Sequence, residues 1–263
     1  MTKTELSNAE LLRYSRQILL PEWDIAAQLK LANSRVLMIG AGGLGNPAAQ
    51  VLIRAGLGFL RLVDFDDIEE SNLQRQFLFQ SSDVGLPKVD VAARELQKIS
   101  PWANIEAVNL KVDLSNLLQL LSDIDLVLDG SDNFSTRDLV NQACVQAKIP
   151  LLSAAAIGLQ GQLAFFKPHL GCYRCVFGSG LDDDTRHCAE SGVLASTTSV
   201  IASLQAHHAL LYLGLNQAPL ANQLMLWNGL NMQQRIIKYA KDPHCSVCAA
   251  SNTIPAPQTT FEE

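Results

Sequence analysis

The sequence predicts an α/β protein with a doubly wound, mostly parallel sheet that antiparallel strands extend. Short apolar runs alternate with helix-forming segments through the first 155 residues, as expected for parallel strands joined by crossover helices. A glycine-rich turn follows the first of these runs. Beyond residue 155 this rhythm changes, and the remaining apolar segments are predicted to be antiparallel strands around one long helix.

The composition is that of an ordinary globular enzyme. The chain has 263 residues, of which 48% are hydrophobic and 17% charged, and its formal net charge is −6. The excess of acids over bases and the aromatic content of 6% argue against a nucleic-acid partner. The sequence has no apolar leader and no uninterrupted apolar run of about eighteen residues. We therefore expect a cytoplasmic protein with no membrane partner.

An amphipathic helical arm is predicted over residues 1–33, where apolar side chains recur at helical spacing beside arginines. These side chains are Leu11, Leu12, Tyr14, Ile18 and Leu19. The arm begins a single domain that we expect to span residues 1–250, a length that can bury one large core.

The next part of the predicted domain covers residues 34–155. Its strands are apolar runs without alternation, as in strands buried on both faces. These runs are 35–40, 59–65, 105–110, 125–129 and 150–154. The helices between them are 46–55, 89–99, 116–121 and 137–147.

The last part of the predicted domain covers residues 156–250. Its antiparallel strands are predicted at 161–167, 224–228 and 232–239, with a long helix at 196–213. The polar segment 178–195 is predicted to be a mobile loop, and residues 251–263 a disordered tail.

A glycine loop joins the first strand to the first crossover helix and makes the fold Rossmann-like. Gly40, Gly42 and Gly45 satisfy the G-x-G-x-x-G pattern, with Gly43 beside them. Small residues let the backbone approach a phosphate, and the helix N-terminus offers unpaired N–H groups. Asp64 ends the next strand, where a carboxylate can bind both ribose hydroxyls. The loop and the acid predict a nucleotide site, and alone they also fit an NAD-dependent oxidoreductase.

Further charged residues favour a triphosphate over NAD. Arg75 and Lys88 follow the ribose acid and could both reach phosphates beyond the glycine loop. Asp132 lies just past the fourth strand, at the edge where ligands bind such sheets, and could hold Mg²⁺. Asp132 or Asn133 could equally cap the next helix.

Together these motifs resemble the ubiquitin-activating-like adenylyltransferases of sulfur-carrier pathways, the MoeB/ThiF/HesA family, and the molybdopterin branch more than the thiamine branch. The resemblance spans about residues 5–249. It is carried by Arg13–Leu20, Gly40–Gly45, Asp64–Asp66, Ser71–Gln76, Pro87-Lys88 and Asp129–Asn133.

The resemblance implies ATP-dependent adenylylation of the C-terminal Gly-Gly carboxylate of a small β-grasp sulfur-carrier protein. The carboxylate attacks the α-phosphate and pyrophosphate leaves. Another protein would then supply sulfur, because the chain is too short to hold an appended rhodanese domain. A carrier of the molybdopterin pathway is expected, with a thiamine-pathway carrier as the alternative.

The resemblance also assigns site residues. The nucleotide-binding set adds Asp66, Asn72 and Asn133 to the loop glycines, Asp64, Arg75, Lys88 and Asp132. Asn72, Arg75 and Lys88 would contact phosphates, and Asp132 would organise Mg²⁺ and ATP. Arg16 would reach into the neighbouring protomer's site, which makes a homodimer necessary for activity.

Two C-x-x-C pairs predict a structural zinc site. Cys172 and Cys175 form one pair, and Cys245 and Cys248 the other. Together they supply four thiolates for a closed tetrahedral site, and an iron–sulfur cluster would use the same ligands.

The two remaining cysteines differ in their surroundings. Cys144 lies in an apolar pattern and is predicted to be buried in the core. Cys188 lies in a polar segment beside cations, and relatives form covalent adducts at this place, so an auxiliary catalytic thiol is predicted. An unreactive loop cysteine is the alternative.

The sequence departs from the family pattern at three places. Gly130-Ser131 stands where Cys-Thr is usual, Ala195 where a proline is common, and Gln205 where a glutamate is common. We expect the last two to flank the loop over the active site. A non-catalytic adaptor of the same fold is a further alternative, against which the intact Arg16, Arg75, Lys88 and Asp132 argue.

Overall fold

The computed structural model describes residues 2–178 and 192–249, and an eight-stranded sheet runs through its centre. The strand order is β3-β2-β1-β4-β5-β6-β7-β8. The strands are β1 (Arg35–Ile39), β2 (Phe59–Asp64), β3 (Asn104–Asn109), β4 (Leu126–Asp129), β5 (Leu151–Ile157), β6 (Gln160–Phe166), β7 (Gln223–Asn228) and β8 (Gln233–Lys238). The predicted tail lies outside the described residues.

The first five strands pair in parallel, whereas β5 through β8 pair antiparallel. This arrangement confirms the predicted fold class. The chain leaves β1 toward β2 on one side and returns to β4 on the other. Such a reversal of strand order opens a crevice at the carboxyl ends of the strands.

Helices cover the two faces of the sheet. They are α1 (Asn8–Ile18), α2 (Ile25–Asn33), α3 (Gly45–Ala55), α4 (Lys88–Ile99), α5 (Leu114–Leu120), α6 (Phe134–Ala147), α7 (Tyr173–Phe177) and α8 (Ala195–Leu215). Two single 3₁₀ turns, Glu70–Asn72 and Ser81–Asp83, lie between β2 and α4. No helix in the described ranges is long and apolar enough to cross a membrane.

The helical arm consists of two helices rather than one continuous helix. Ser7 and Glu10 form a capping box at the start of α1, and Asp24 caps α2 with a bond from the Ala27 N–H. Between them lies Pro21, which has no N–H to continue a helix. The turn places Trp23 against Gly214 of α8, where a Cβ would lie 2.4 Å from the indole ring.

Two separate apolar cores lie on opposite faces of the sheet, as a doubly wound fold requires. One face packs against α2, α3, α4 and α8 through side chains such as Leu31, Leu52 and Ile201. The other packs against α5, α6 and α7 through Leu117 and Val140. Burial on both faces explains why the central strands lack hydrophobic alternation.

Two helix positions differ from the sequence prediction. Helix α6 begins at Phe134, three residues before the predicted start, because Asn133 accepts a bond from the Thr136 N–H and caps it. Helix α7, which overlaps the first cysteine pair, was not predicted because it has only five residues.

Candidate nucleotide site and thiolate cluster

A cleft of about 920 Å³ opens at the carboxyl ends of β1, β2 and β4, a volume suited to a small ligand. Ten of the predicted nucleotide-binding residues line it: Gly40, Gly42, Gly43, Asp64, Asp66, Asn72, Arg75, Lys88, Asp132 and Asn133. Gly45 and Arg16 are not among the lining residues.

The glycine loop is shaped by close backbone contacts. A Cβ on Gly45 would lie 1.8 Å from the Gly40 carbonyl oxygen, so only glycine fits there. Gly40 has a φ of 93° and faces the Gly130 carbonyl oxygen, 3.2 Å from where a Cβ would lie. Gly42 is open by comparison, because its nearest neighbour would be Gln76 Nε2 at 3.7 Å. Gly45 therefore maintains the turn, whereas Gly42 faces the ligand space.

Asp64 connects the end of β2 to the glycine loop. The Ala41 N–H donates to its Oδ2 at 2.7 Å, and the Asp66 N–H donates to its Oδ1 at 2.9 Å. Burial raises the pKa of Asp64, and the nearby Lys88 ammonium opposes that rise. Each oxygen keeps lone-pair capacity for a further donor, such as a ribose hydroxyl.

Both predicted phosphate-binding cations line the cleft. The Lys88 Nζ donates to Asp66 Oδ2 at 2.7 Å, and the Lys88 side chain is only 8% exposed. The Arg75 side chain packs over Gly43, and its Nη1 donates to the Ser71 carbonyl oxygen at 3.0 Å. No ion pair of Arg75 occurs in the described part of the chain. Arg75 is therefore available to an anionic ligand.

Two neighbouring residues in the turn after β4 have different roles. The Asn133 Oδ1 accepts the Thr136 N–H at 2.8 Å, so the capping role belongs to Asn133. Asp132 is exposed, lines the cleft and accepts a bond from Asn133 Nδ2 at 3.2 Å. Its carboxylate is thus free of the cap and accessible to a hydrated cation.

Sequence reasoning missed a hydrogen-bonded group that fixes this turn. The buried Asp129 carboxylate accepts from the Ser131 N–H and hydroxyl at 3.0 and 2.6 Å and from the Ser153 hydroxyl at 2.9 Å. From the other side, Arg137 donates to the Ser131 carbonyl oxygen at 3.2 and 2.7 Å. The only available signal was an acid that directly follows an apolar strand.

The apolar wall of the cleft was also missed. Phe65, Leu110 and Val112 line it, with Lys111 Nζ 5.5 Å from the centroid of the Phe65 ring. Buried Gln76 lines the cleft too, and its Oε1 has no hydrogen-bond partner among the described residues. Apolar walls with a few unpaired polar atoms are typical of small-ligand sites.

Two of the three departures from the family pattern have a visible structural setting, at Gly130 and Gln205. Gly130 is tightly packed, since a Cβ there would lie 3.2 Å from Leu44 Cβ. Gln205 itself is described, whereas most of the loop that we expected it to flank lies outside the described residues. Gln205 is buried on α8, and its Nε2 donates at 2.9 Å to the carbonyl oxygens of Asp129 and Leu152. An ionised glutamate could not make these donations.

The four predicted zinc ligands lie together. Their sulfur atoms are all within 4.8 Å of one another. The Sγ–Sγ distances are 3.9 Å for Cys172–Cys175, 3.6 Å for Cys172–Cys245 and 3.4 Å for Cys175–Cys248. A tetrahedral zinc with bonds of about 2.3 Å separates its sulfurs by about 3.8 Å, so the donor set fits this metal.

One side-chain and one backbone N–H group donate to this set of four sulfurs, which we call the thiolate cluster. Asn141 Nδ2 donates to Cys172 Sγ at 3.7 Å, and the Asp242 N–H donates to Cys175 Sγ at 3.4 Å. Burial raises the pKa of Cys172 to about 11, because the thiolate loses hydration. A bound cation would favour the thiolate, so metal uptake would release protons.

The other cysteines do not join this cluster. Cys144 is 3% exposed on α6, as predicted for a core residue, and burial raises the pKa of its thiol. Cys188 lies outside the described residues, as do all of residues 179–191 of the predicted loop at 178–195.

Comparisons with known proteins point to one family. A family model described as the ThiF family matches residues 14–247. The molybdopterin-synthase adenylyltransferase of Escherichia coli (strain K12) is 42% identical over 249 residues, 93% of this chain and 98% of that protein. The adenylyltransferase and sulfurtransferase MOCS3 of Anopheles gambiae is 40% identical over 254 residues, 95% of this chain and 58% of that protein.

Solved structures share the architecture. The crystal structure of E. coli MccB has a TM-score of 0.81 at 27% identity and covers 92% of this chain and 74% of that one. The crystal structure of E. coli MccB with ATP has a TM-score of 0.78 at 27% identity and covers 94% and 75% of the two chains.

Proposed function

This chain belongs to the ThiF family, and from that premise we propose that it adenylylates a small sulfur-carrier protein for molybdopterin biosynthesis. It is an adenylyltransferase and therefore a nucleotidyltransferase that uses ATP. One observation carries the proposal. This chain is about 40% identical to enzymes named as adenylyltransferases, and its Asp64, Arg75 and Lys88 line one cleft.

The cleft suits a reaction in which negative charge shifts onto a leaving group. The attacking group is the carrier's C-terminal Gly-Gly carboxylate, which is already ionised at neutral pH and needs no general base. It forms a bond to the α-phosphorus while the bond to the β-phosphate oxygen breaks and pyrophosphate leaves. Arg75 and Lys88 stabilise the charge that grows on pyrophosphate.

Other residues position the nucleotide. Asp64 accepts the ribose hydroxyls, and the N–H groups after Gly42 approach the phosphates at the start of α3. Phe65 and Leu110 supply an apolar wall for the base. Asp132 would hold Mg²⁺, which would shield the phosphate charges when bound. Zinc at the thiolate cluster has a structural role, because four protein ligands leave no open position for chemistry.

Arg16 acts across a homodimer. It is exposed in the last turn of α1 and does not line the cleft of its own chain. A second protomer would place it against the phosphates, where a further cation adds to the charge of Arg75 and Lys88.

A carrier of the molybdopterin pathway is favoured because the named relatives belong to that pathway. A thiamine-pathway carrier is the second candidate. Sulfur then comes from a separate donor protein.

Cys188 is an auxiliary thiol that acts after adenylylation. A cytoplasmic location, where thiols stay reduced, fits this role, and the five cysteines among the described residues are free. Cys188→Ala should therefore keep ATP–pyrophosphate exchange near the parent rate. Exchange below a tenth of that rate would contradict the auxiliary role.

The decisive test is ATP–pyrophosphate exchange with purified carrier proteins that end in Gly-Gly, added one at a time. We expect exchange with a molybdopterin-pathway carrier and none after removal of its terminal glycine. Exchange only with a thiamine-pathway carrier would support the second candidate. Calorimetry that shows NAD binding and no ATP binding would refute both and favour an oxidoreductase.

A further inference from the structure

Helix α6 contacts both the nucleotide cleft and the thiolate cluster. Its start lies in the cleft, where Asn133, Thr136 and Arg137 are lining residues. One turn further along, Asp138 and Asn141 bind residues of the first cysteine pair. A shift of this helix would therefore displace groups at both sites.

At the nucleotide end, Arg137 is the connecting side chain. It is 6% exposed and donates two hydrogen bonds to the Ser131 carbonyl oxygen. Ser131 directly precedes Asp132, so the position of Arg137 sets the position of the Asp132 turn. The same guanidinium lies near Tyr173, which follows Cys172 in the chain.

At the metal end, Asn141 is the connecting side chain. It is 1% exposed, its Oδ1 accepts the Tyr173 N–H at 2.9 Å, and its Nδ2 donates to Cys172 Sγ at 3.7 Å. A thiolate accepts such a bond more strongly than a thiol, so this amide favours the form that binds metal.

A second set of polar contacts, beside those of Asn141, connects α6 to the cysteine pairs. Arg174 Nε donates to Asp138 Oδ1 at 3.0 Å, and Arg174 Nη1 donates to the Ser246 hydroxyl at 3.0 Å. Ser246 lies inside the second cysteine pair. The first cysteine pair thus contacts α6 directly, and the second pair is connected to α6 through Arg174, whose bond to Ser246 is exposed.

We propose that α6 couples the thiolate cluster to the nucleotide cleft, with Asn141 as the positioning residue at the metal end and Arg137 at the nucleotide end. This inference rests on the proposed function, because it needs ATP in the cleft. Coupling between two sites is reciprocal, so bound ATP should tighten zinc binding by the factor by which zinc tightens ATP binding.

The first experiment measures zinc affinity by competition with a chelator, for the parent protein and Asn141→Asp. The variant keeps the size and the acceptor for the Tyr173 N–H but replaces the N–H donor with a carboxylate beside the thiolates. We expect zinc affinity to fall about tenfold or more. Gln146→Glu makes the same amide-to-carboxylate change at an exposed position of α6 and should retain the parent affinity.

The second experiment repeats the competition on the parent protein with and without saturating ATP. Coupling predicts zinc affinity at least about fivefold higher with ATP. Chelation of zinc by ATP itself would lower the apparent affinity, so it cannot imitate this result. The comparison needs no variant and remains decisive if Asn141→Asp fails to fold.

Two results would overturn the coupling: parent-like zinc affinity in folded Asn141→Asp, or an unchanged zinc affinity although calorimetry shows that ATP binds. If the parent protein binds no ATP at all, the proposed function fails instead, and the two failures are thereby distinguished.

Discussion

At the scale of single residues, Asp64 illustrates how a ligand site opposes stability. Its pKa is raised by burial, so ionisation of this carboxylate costs folding free energy. The contribution of such a group to stability is present below the unfolded pKa and is lost as pH rises through the raised folded pKa. In the proposed function the charged form binds the ribose, and its ionisation opposes folding.

Asp64→Asn should separate these two roles. The amide removes the buried charge but keeps only one acceptor for the N–H groups of Ala41 and Asp66. We expect the free energy of unfolding at pH 7 to change by less than about 1 kcal/mol. ATP affinity should fall about tenfold or more, since a charged acceptor for ribose is lost. Calorimetry measures the ATP affinity, and urea unfolding measures the free energy of unfolding. An unchanged ATP affinity would show that Asp64 does not bind the nucleotide.

Two glycines of the loop should respond oppositely to the same substitution. Gly45→Ala places a Cβ 1.8 Å from the Gly40 carbonyl oxygen and should destabilise the protein. The expected cost is at least about 3 kcal/mol. Gly42→Ala meets only Gln76 Nε2 at 3.7 Å, so the fold should persist while ATP binding weakens. Thermal unfolding and nucleotide titration of the pair test this, and a destabilised Gly42→Ala would contradict it.

The sequence was sufficient to place Asp64, Arg75 and Lys88 in one cleft, because strand ends and loop motifs depend on local pattern. Arg137 and Asp129 could not be found in this way. Asp129 accepts from Ser153 of β5, and Arg137 donates to Ser131 from α6, and these bonds exist only once β4, β5 and α6 have packed together. Buried polar partners of this kind leave no periodic signal in the chain.

At the scale of elements, α8 places an unusual histidine pair against the sheet. His207 is exposed, whereas His208 is half-buried and its Nδ1 lacks a hydrogen-bond partner among the described residues. Burial lowers the pKa of His208 to about 4, and the neighbouring His207 contributes to the decrease. The folded state therefore holds His208 neutral in a range where the unfolded chain is protonated.

This difference predicts a specific loss of stability in mild acid. The stabilisation is present above pH 6.5 and is lost as pH falls toward 4. For a partly exposed imidazole we expect a loss of about 1–2 kcal/mol. His208→Leu should flatten the curve of unfolding free energy against pH relative to the parent, whereas His207→Leu should not. Equal slopes for parent and His208→Leu would contradict the assignment.

Long apolar or amphipathic elements were predicted within a few residues, while the shortest α-helix, α7, was missed. The predicted helix 196–213 corresponds to Ala195–Leu215. In contrast, the five residues of α7 are too few for a helical period to appear. The break between α1 and α2 was overlooked because the apolar spacing of α1 hid the effect of Pro21.

At the scale of the whole molecule, topology explains why motifs far apart in sequence form one cleft. Strands β1, β2 and β4 are neighbours, and their carboxyl ends meet at one edge. The order of apolar runs and helix-forming segments was sufficient to predict the parallel and antiparallel halves of the sheet. It could not predict which surface pairs two protomers, since exposed side chains such as Arg16 have no burial constraint.

The shared-site proposal predicts complementation between inactive variants. Arg16→Ala and Asp132→Ala should each reduce ATP–pyrophosphate exchange to near background. Mixed heterodimers hold one site in which both residues are intact, so mixing should restore up to about a quarter of the parent activity per chain if subunits exchange randomly. Mixtures that stay inactive although light scattering and subunit-exchange assays show heterodimers would exclude a site built from two protomers.

The order of the cysteine pairs along the chain has a consequence for synthesis on the ribosome. Cys172 and Cys175 emerge about 70 residues before Cys245, which at about 5–20 residues per second is about 4–14 s. During that interval the first two thiols lack the other two ligands of the predicted zinc site, Cys245 and Cys248. Oxidants that reach the nascent chain at this stage would trap it in a form that translation of the last segment cannot repair.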